Sequence, residues 1–389
     1  MQTPGRDQCV ADGGQIELAI IDTLSTFEEL RPEWDALMAA AGRPDQVFQQ
    51  HAWIWHWWNT YVGDRDDPVI VVGRHKGRLS MVIPLVVETR LGIRTLTWMG
   101  DPVSQYSDVL IAGRHDTSRD ILRGLTFAAQ TRVVDLVAAG KVREGSALAD
   151  AIEAGGGRAA DEQVAPAISL LGLSGVEAIE SRFSSKMRRD RRRKRKLLEQ
   201  AGRPDFKVVS EGSQALAAVE CAISFKFDWI EKHAIVSNTY ADSRFADFWR
   251  SVAASRERPV GMAAAILNID GRPAAIEIGL RHKGVHFAHI GAFDIAYEKL
   301  SPGSAQMDAL FDACIAEGVS EYDMLAPNAA YKQRLADRFV VVRDYVLPVS
   351  ATGRACDALR LTEGRTFAKA ALTKLPAGAR RVIKSTLGV

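Results

Sequence analysis

The sequence predicts a layered α+β fold in two successive halves, and three observations carry that prediction. Residues 68–73, 79–88 and 94–99 form three β-like runs joined by short turns, and 263–268, 273–280 and 285–292 form a second such set. Each set is followed by a helical pattern and then by a further strand. At 389 residues the chain is long enough for two sizeable cores. The expected architecture is two mixed, largely antiparallel sheets, each flanked by helices.

In chain order, residues 1–15 carry no apolar run and read as a disordered tail, not a secretion signal. A strand is expected at 16–24. A helix follows at 27–41, with Leu30, Trp34, Leu37 and Met38 on one face. The helix at 48–62 holds four tryptophans, at 53, 55, 57 and 58, which read as core and interface because tryptophan buries so much apolar area. After the first set of strands, Tyr106-Ser107-Asp108 opens a strand at 109–112. There Tyr106 and Asp108 are candidates for binding or orienting a substrate, and Asp108 equally for holding the loop through backbone N–H groups. Helix, strand and helix at 121–130, 133–139 and 146–155 complete this half. The loop at 113–118 has no Gly-x-Gly phosphate cradle, so the first half, 16–174, is expected to lack a cofactor site.

A short strand at 166–173 leads to a boundary near Ser174-Gly175, and 175–350 forms the second half. Residues 176–199 read as one helix whose turns are almost wholly Arg and Lys. Such like charge repels unless anions are near. Amphipathic helices follow at 214–233 and 244–255, with Phe225, Trp229, Phe245, Phe248 and Trp249 as core contacts. Asp270-Gly271 favours a tight hairpin in the second set of strands. Alternation puts Glu277 on the face opposite Ile276 and Ile278, and sends His286 and His289 to opposite faces. His289 is the histidine that faces the cleft if either does, against a packed, hydrogen-bonded role. Asp294 and Tyr297 are candidate acceptor-binding or acid groups, with a turn-forming Asp as the competing reading. Next, Ser301 suits an N-cap and Pro302 the first helical position. Gly303, Ser304 and Ala305 leave the first-turn N–H groups uncovered. A helix start of that kind attracts anions and implies a cradle for acyl-CoA or a nucleotide diphosphate. Met307, Leu310, Phe311, Cys314 and Ile315 share that helix's apolar face, Gly318 ends it, and 320–324 returns as a strand.

The succession of Gly291-Ala-Phe-Asp294, Tyr297, Ser301-Pro-Gly303, Gly318, Tyr322-Asp323 and Tyr331-Lys332 resembles the second half of GNAT superfamily proteins of the CelD type. These are named for bacterial cellulose biosynthesis and are distantly related to the FemABX aminoacyl transferases. Residues 53–61 and Tyr106-Ser-Asp108 extend the resemblance weakly to the whole chain. It implies two GNAT-like domains in tandem, with acyl-CoA (acetyl-CoA foremost) as co-substrate and an amine or hydroxyl acceptor on a small molecule, glycan or peptide. It also implies Glu277 as general base, and Lys332 as a contact to donor phosphate, with Tyr331 and Arg334 beside it on the acceptor side. One position departs from the family's Gln/Arg-x-x-Gly-x-Gly/Ala motif. Gly303 and Ala305 fit, but Leu300 stands first.

The four cysteines are scattered, without a disulfide frame or metal-ligand spacing, and no apolar run approaches the ~20 residues of a membrane span. A cytoplasmic location is expected, with a peripheral position on the inner membrane face as an extension of it. The stretch from Arg182 to Lys196 holds ten Lys/Arg and one Asp, net +9. Residues 354–389 hold eight Lys/Arg and two acids, net +6. Against a chain total of +2, the remainder is −13. The first stretch, with Arg188, Arg189 and Arg192 as representative anion-binding groups, reads as a helix that draws anions to the cleft. A solvated face and tRNA binding are its alternatives. Residues 351–389 read as a basic amphipathic tail that packs on the second half or lies on an anionic membrane. Three functions therefore stay open: an acyl-CoA-dependent transferase, an aminoacyl-tRNA-dependent one, and a non-catalytic docking protein.

Overall fold

A computed structural model describes residues 16–63, 66–113, 116–235 and 237–360. The expected tail at 1–15 and the basic tail beyond 360 lie outside the described residues.

The first half runs β1 (Glu17–Ile21), α1 (Leu24–Glu29), α2 (Arg31–Ala41), α3 (His51–Tyr61), β2 (Asp67–His75) and β3 (Arg78–Arg90). It continues through β4 (Ile93–Trp98), β5 (Leu110–Ile111), α4 (Thr117–Arg132), β6 (Leu136–Arg143), α5 (Ala147–Ala154) and β7 (Arg158–Ser169). The second half runs α6 (Val176–Glu180), α7 (Ser185–Ala201), β8 (Pro204–Val209), α8 (Gly212–Lys232), α9 (Asn238–Ala241) and α10 (Arg244–Ala254). Then come β9 (Met262–Ile269), β10 (Arg272–His282), β11 (Val285–Phe293), α11 (Pro302–Ala316), β12 (Glu321–Asp323), α12 (Ala330–Leu335), β13 (Arg338–Pro348) and α13 (Ala351–Ala358).

Two helices expected to be continuous are broken. Pro32 enters the first turn of α2, so residues 27–41 divide into α1 and α2. Likewise 176–199 divides into α6 and α7, because the Ser184 hydroxyl accepts from the Met187 N–H and starts a new helix.

Among the described residues thirteen strands join one sheet in the order β1-β2-β3-β4-β6-β13-β7-β12-β11-β10-β9-β8, with β5 on β3. Each half contributes an antiparallel four-strand meander, β1–β4 or β8–β11, and then a parallel strand, β6 on β4 or β12 on β11. The mixed, mostly antiparallel sheet flanked by helices is the expected fold class. The last strand of each half then crosses over. β7 pairs with β12 of the second half, β13 pairs with β6 of the first, and the two pair with each other at the centre. The turn near Ser174-Gly175 does separate β7 from α6, but the hydrogen bonding of the sheet does not stop there.

One face of the sheet carries α1–α3, α8 and α10 over an apolar cluster that spans both halves. Trp53 packs there with its ring centroid 4.8 Å from Phe248 and 5.8 Å from Trp249. The tryptophans of α3 are thus core, as expected; Trp53, Trp57 and Trp58 are buried. On the other face α4 and α5 cover the first half, while α6 and α11 cover the second. At the end of the described chain, α13 buries Cys356 against Leu136 and Val346.

Candidate active site

The pairing of β11 with β12 is short. Only Val285, His286 and Phe287 have partners, Glu321, Tyr322 and Asp323. Beyond Phe287, β11 runs on to Phe293 with its other edge on β10, while the chain after Asp323 turns away. The two strands therefore splay, and a cleft of about 1060 Å³ opens between them. Its walls include Gly291, Tyr322, Tyr331 and the start of α11 from Ser301 to Ser304.

The α11 terminus is open. Pro302 stands in its first turn and no side chain caps it. A Cβ built on Gly303 meets nothing within 4 Å, so the space beside the Gly303 N–H is free, whereas Pro302 has no N–H and that of Ser304 donates to the Ser301 carbonyl at 3.0 Å. Ser301 corrects the expectation of a capping hydroxyl. It sits in the left-handed region at φ 55°, and its Oγ takes a 3.0 Å hydrogen bond from Lys194 Nζ instead. The corresponding helix of the first half, α4, is closed: the Asp116 carboxylate accepts from the Arg119 N–H at 3.2 Å, placing negative charge where an anion would bind.

Beside α11 lies a second groove of about 790 Å³, lined by Lys186, Arg189, Arg193, Lys194, Arg334, Ser301, Ser304 and Ala305 among others. Arg191 and Arg195 anchor α7 there by pairing with Asp308 of α11 and Glu180 of α6. Of the three arginines expected to bind anions, Arg189 lines this groove. Arg188 instead donates to the Ser181 and Phe183 carbonyls at 3.2 and 2.7 Å, tying α7 to the end of α6, and Arg192 is exposed and lines neither cavity.

At the floor of the cleft, Glu277 is 4% exposed and both its oxygens are engaged. The Tyr322 hydroxyl donates to Oε2 at 2.5 Å and His286 Nε2 lies 2.9 Å from Oε1. A carboxylate only accepts, so this bond puts the His286 proton on Nε2. Burial and the neighbouring Glu277 carboxylate raise the Tyr322 pKa well above 10, which keeps the phenol neutral. Two local features bring this set together. The register jumps from Ile278–Ile290 to Gly279–Ala288, a bulge that lets His286 and Gly291 share the Glu277 face. Gly279 carries no Cβ, and one built there would lie 2.5 Å from the His286 ring.

Several other candidates are held by partners within the protein, although His289 and Lys332 also line the cleft. Asp108 holds a loop, accepting from Val109 N–H, Gln46 Nε2 and Arg43 Nη2. Tyr106 is buried; its hydroxyl bonds Asp323, which also pairs with Arg143 at 3.2 Å. His289 Nε2 lies 2.6 Å from the Val103 carbonyl, which makes it the protonated nitrogen. Its Nδ1 is sealed from solvent, and burial lowers its pKa to about 4, so it is neutral and poorly basic. Asp294 caps the following 3₁₀ turn by accepting from Ala296 N–H, the turn-forming reading. Tyr297 packs with Leu300 and Phe293 outside the cleft wall. Lys332 donates to the carbonyls of Met324, Leu325 and Pro327 at 2.7, 2.8 and 3.1 Å, and clamps that loop in place of a phosphate. Tyr331 and Arg334 do face the cleft.

Some cleft residues carry no sequence signal that singles them out. Lys226 and Trp229 of α8 and Tyr240 of α9 line the wall opposite α11. Trp229, expected in the core, is half-buried there because its ring stacks with the Lys226 ammonium at 5.0 Å.

The cleft therefore joins a splayed sheet edge to an uncapped helix start, within a doubled sheet. Residues 185–333 match the family described as acetyltransferase (GNAT) domain. None of the curated protein sequences matches the chain. Among solved structures, FemX superposes with a TM-score of 0.57 at 9% identity, over 86% of this chain and 97% of FemX. The C-terminal domain (DUF2156) of a putative lysylphosphatidylglycerol synthetase from Agrobacterium fabrum gives 0.55 at 12%, over 87% of this chain and 96% of that one. L-PGS from Bacillus licheniformis gives 0.51 at 11%, over 86% and 96%. At these identities the likeness is one of fold. Among the described residues no helix is long and apolar enough to cross a membrane.

Proposed function

We propose that the protein is an acyltransferase that moves an acyl group from acyl-CoA, acetyl-CoA foremost, to an amine or hydroxyl. The observation that carries this is the uncapped first turn of α11 at the mouth of the cleft, with free space over Gly303. Backbone N–H groups there suit the donor pyrophosphate, and Arg189, Lys194 and Arg334 in the adjoining groove suit its remaining phosphate. The unpaired edge of β11 offers peptide groups along which the pantetheine amides can lie, bringing the thioester to the Glu277 floor.

The acceptor's lone pair attacks the thioester carbon, the C–S bond breaks, and the thiolate leaves. As the nucleophile loses its proton, Tyr322 Oη takes it while passing its own to Glu277 Oε2; His286 holds the other carboxylate oxygen. Glu277 is then the base reached through Tyr322, not by direct contact. The CelD-type resemblance favours an acceptor in envelope or exopolysaccharide metabolism, with the protein in the cytoplasm.

The cationic groove also supports a second reading, an aminoacyl-tRNA donor held along α7. Calorimetry at physiological salt separates the two. Acetyl-CoA binding in the micromolar range, with mass spectrometry finding CoA species in the purified protein, supports the first. Binding of aminoacyl-tRNA alone, falling steeply with salt, supports the second. If neither binds, a docking role on a membrane or synthase through the basic segments is left.

A further inference from the structure

The wall of the cleft opposite α11 contains a cation without a counter-charge. Lys226 projects from α8, on the face of the sheet that α11 does not cover. Its Nζ donates to the Gly291 carbonyl at 3.3 Å and sits 5.0 Å from the Trp229 ring and 5.7 Å from the Tyr240 ring. Among the described residues no carboxylate lies within 4.0 Å of it. Of the other cations on the cleft wall, Arg191 is taken by Glu180 and Asp308, Lys332 by three carbonyls and Lys141 by the Ser104 carbonyl, while Arg334 is exposed on the α11 side where the two grooves meet. Burial lowers the Lys226 pKa, and the Lys332 ammonium is close enough to feel its charge. A half-buried ammonium in this state costs stability, and an anion entering the cleft removes that cost.

Position assigns the anion to the acceptor. Donor phosphates belong at α11, on the other face, whereas Lys226 touches β11 at Gly291, on the edge where the splay leaves peptide groups free. A group bound to Nζ is therefore within one small molecule's length of a thioester lying on that edge. We propose that Lys226, walled by Trp229 and Tyr240, binds an acid group of the acceptor, so that the substrate is an amine or alcohol bearing a carboxylate or phosphate next to an apolar portion. This rests on the acyltransferase reading for the word acceptor, but the subsite itself is testable without turnover.

Calorimetry with phenylacetate, phenyl phosphate and phenylacetamide reads it directly, since the three share a ring and differ in the acid group. The wild-type protein is expected to bind one of the two anions at least tenfold more tightly than the amide, and which anion wins identifies the acid. Lys226→Met should erase the preference while leaving the melting temperature unchanged or higher, because the long 3.3 Å bond to Gly291 and the ammonium–ring contacts are exchanged for apolar packing of the methionine on Trp229 and Tyr240. Lys226→Arg should restore it. Equal affinity for all three probes in the wild type, or an anion preference that survives in Lys226→Met, overturns the proposal. Failure of acetyl-CoA to bind in a parallel titration would overturn the donor assignment and leave the anion result standing.

Discussion

Replacing Gly303 with valine tests the donor cradle and the fold of α11 together. Gly303 does not have positive φ, and a Cβ there meets nothing within 4 Å, so the folded chain accommodates the side chain. Removing a helical glycine offsets valine's weaker propensity, and stability should change by no more than ~0.5 kcal/mol. Donor binding should change far more. The isopropyl group would occupy the space beside the Gly303 N–H. A hydrogen bond to a charged group is worth about 1.5–3 kcal/mol, and the helix terminus adds about 0.3–1 kcal/mol. Losing one such bond and part of the dipole contact amounts to about 2–4 kcal/mol, a roughly 30- to 1000-fold weaker Kd. Titration calorimetry with CoA, alongside a melting curve, measures both quantities. Gly303→Ala should fall between wild type and valine. Undiminished CoA affinity in Gly303→Val would refute the placement of the cradle, and a collapsed melting curve would refute the claim that the terminus faces open space.

Further outcomes follow from the buried groups. Glu277→Gln retains shape but not basicity, and should lower kcat about 100-fold or more with CoA affinity unchanged; an unaltered rate removes Glu277 from the reaction. His51, His56 and His289 have pKa values pushed down to about 4 by burial, so below pH 6.5 the unfolded chain binds more protons than the folded one. Their stabilisation is complete above pH 6.5 and declines as the pH falls towards 4, by about 2 kcal/mol per histidine at pH 5. Urea midpoints at pH 7.5 and 5 should show the decline, and His56→Gln should make it shallower; a slope identical to wild type would contradict the assignment. Asp323→Ala leaves the buried Tyr106 hydroxyl and the Leu325 N–H without their acceptor and Arg143 with Asp45 as its remaining carboxylate, and should cost about 3 kcal/mol in chemical denaturation. A loss under 1 kcal/mol would mean that this network does not join the halves.

Local chemistry made much of the second half readable. Asp270-Gly271 does form the β9–β10 hairpin, Pro302 stands in the first turn of α11, and the alternation around Glu277 gives its true face. What escaped depended on partners distant in sequence. Nothing in 338–348 announces a central strand, because β13 is defined by its pairing with β6 and β7. Lys332 looks like a phosphate ligand until the carbonyls of residues 324–327 are seen to fill its three donor positions. Ser301 has a capping side chain, but its left-handed backbone turns the hydroxyl towards Lys194. The run of arginines in α7 hides a division of labour, since Arg191 and Arg195 find acids on α6 and α11 while Arg189 stays available to the groove.

The exchange of β7 and β13 imposes an order of events during synthesis. β6 leaves the ribosome early, but its permanent neighbour is translated roughly 200 residues later, a wait of about 10–40 s at ordinary elongation rates. Throughout that interval the nascent amino-terminal portion presents an unsatisfied strand edge, which is a hazard for self-association. Severing the polypeptide between the halves would make that exposure permanent, so neither fragment is expected to be a soluble stand-in for the whole.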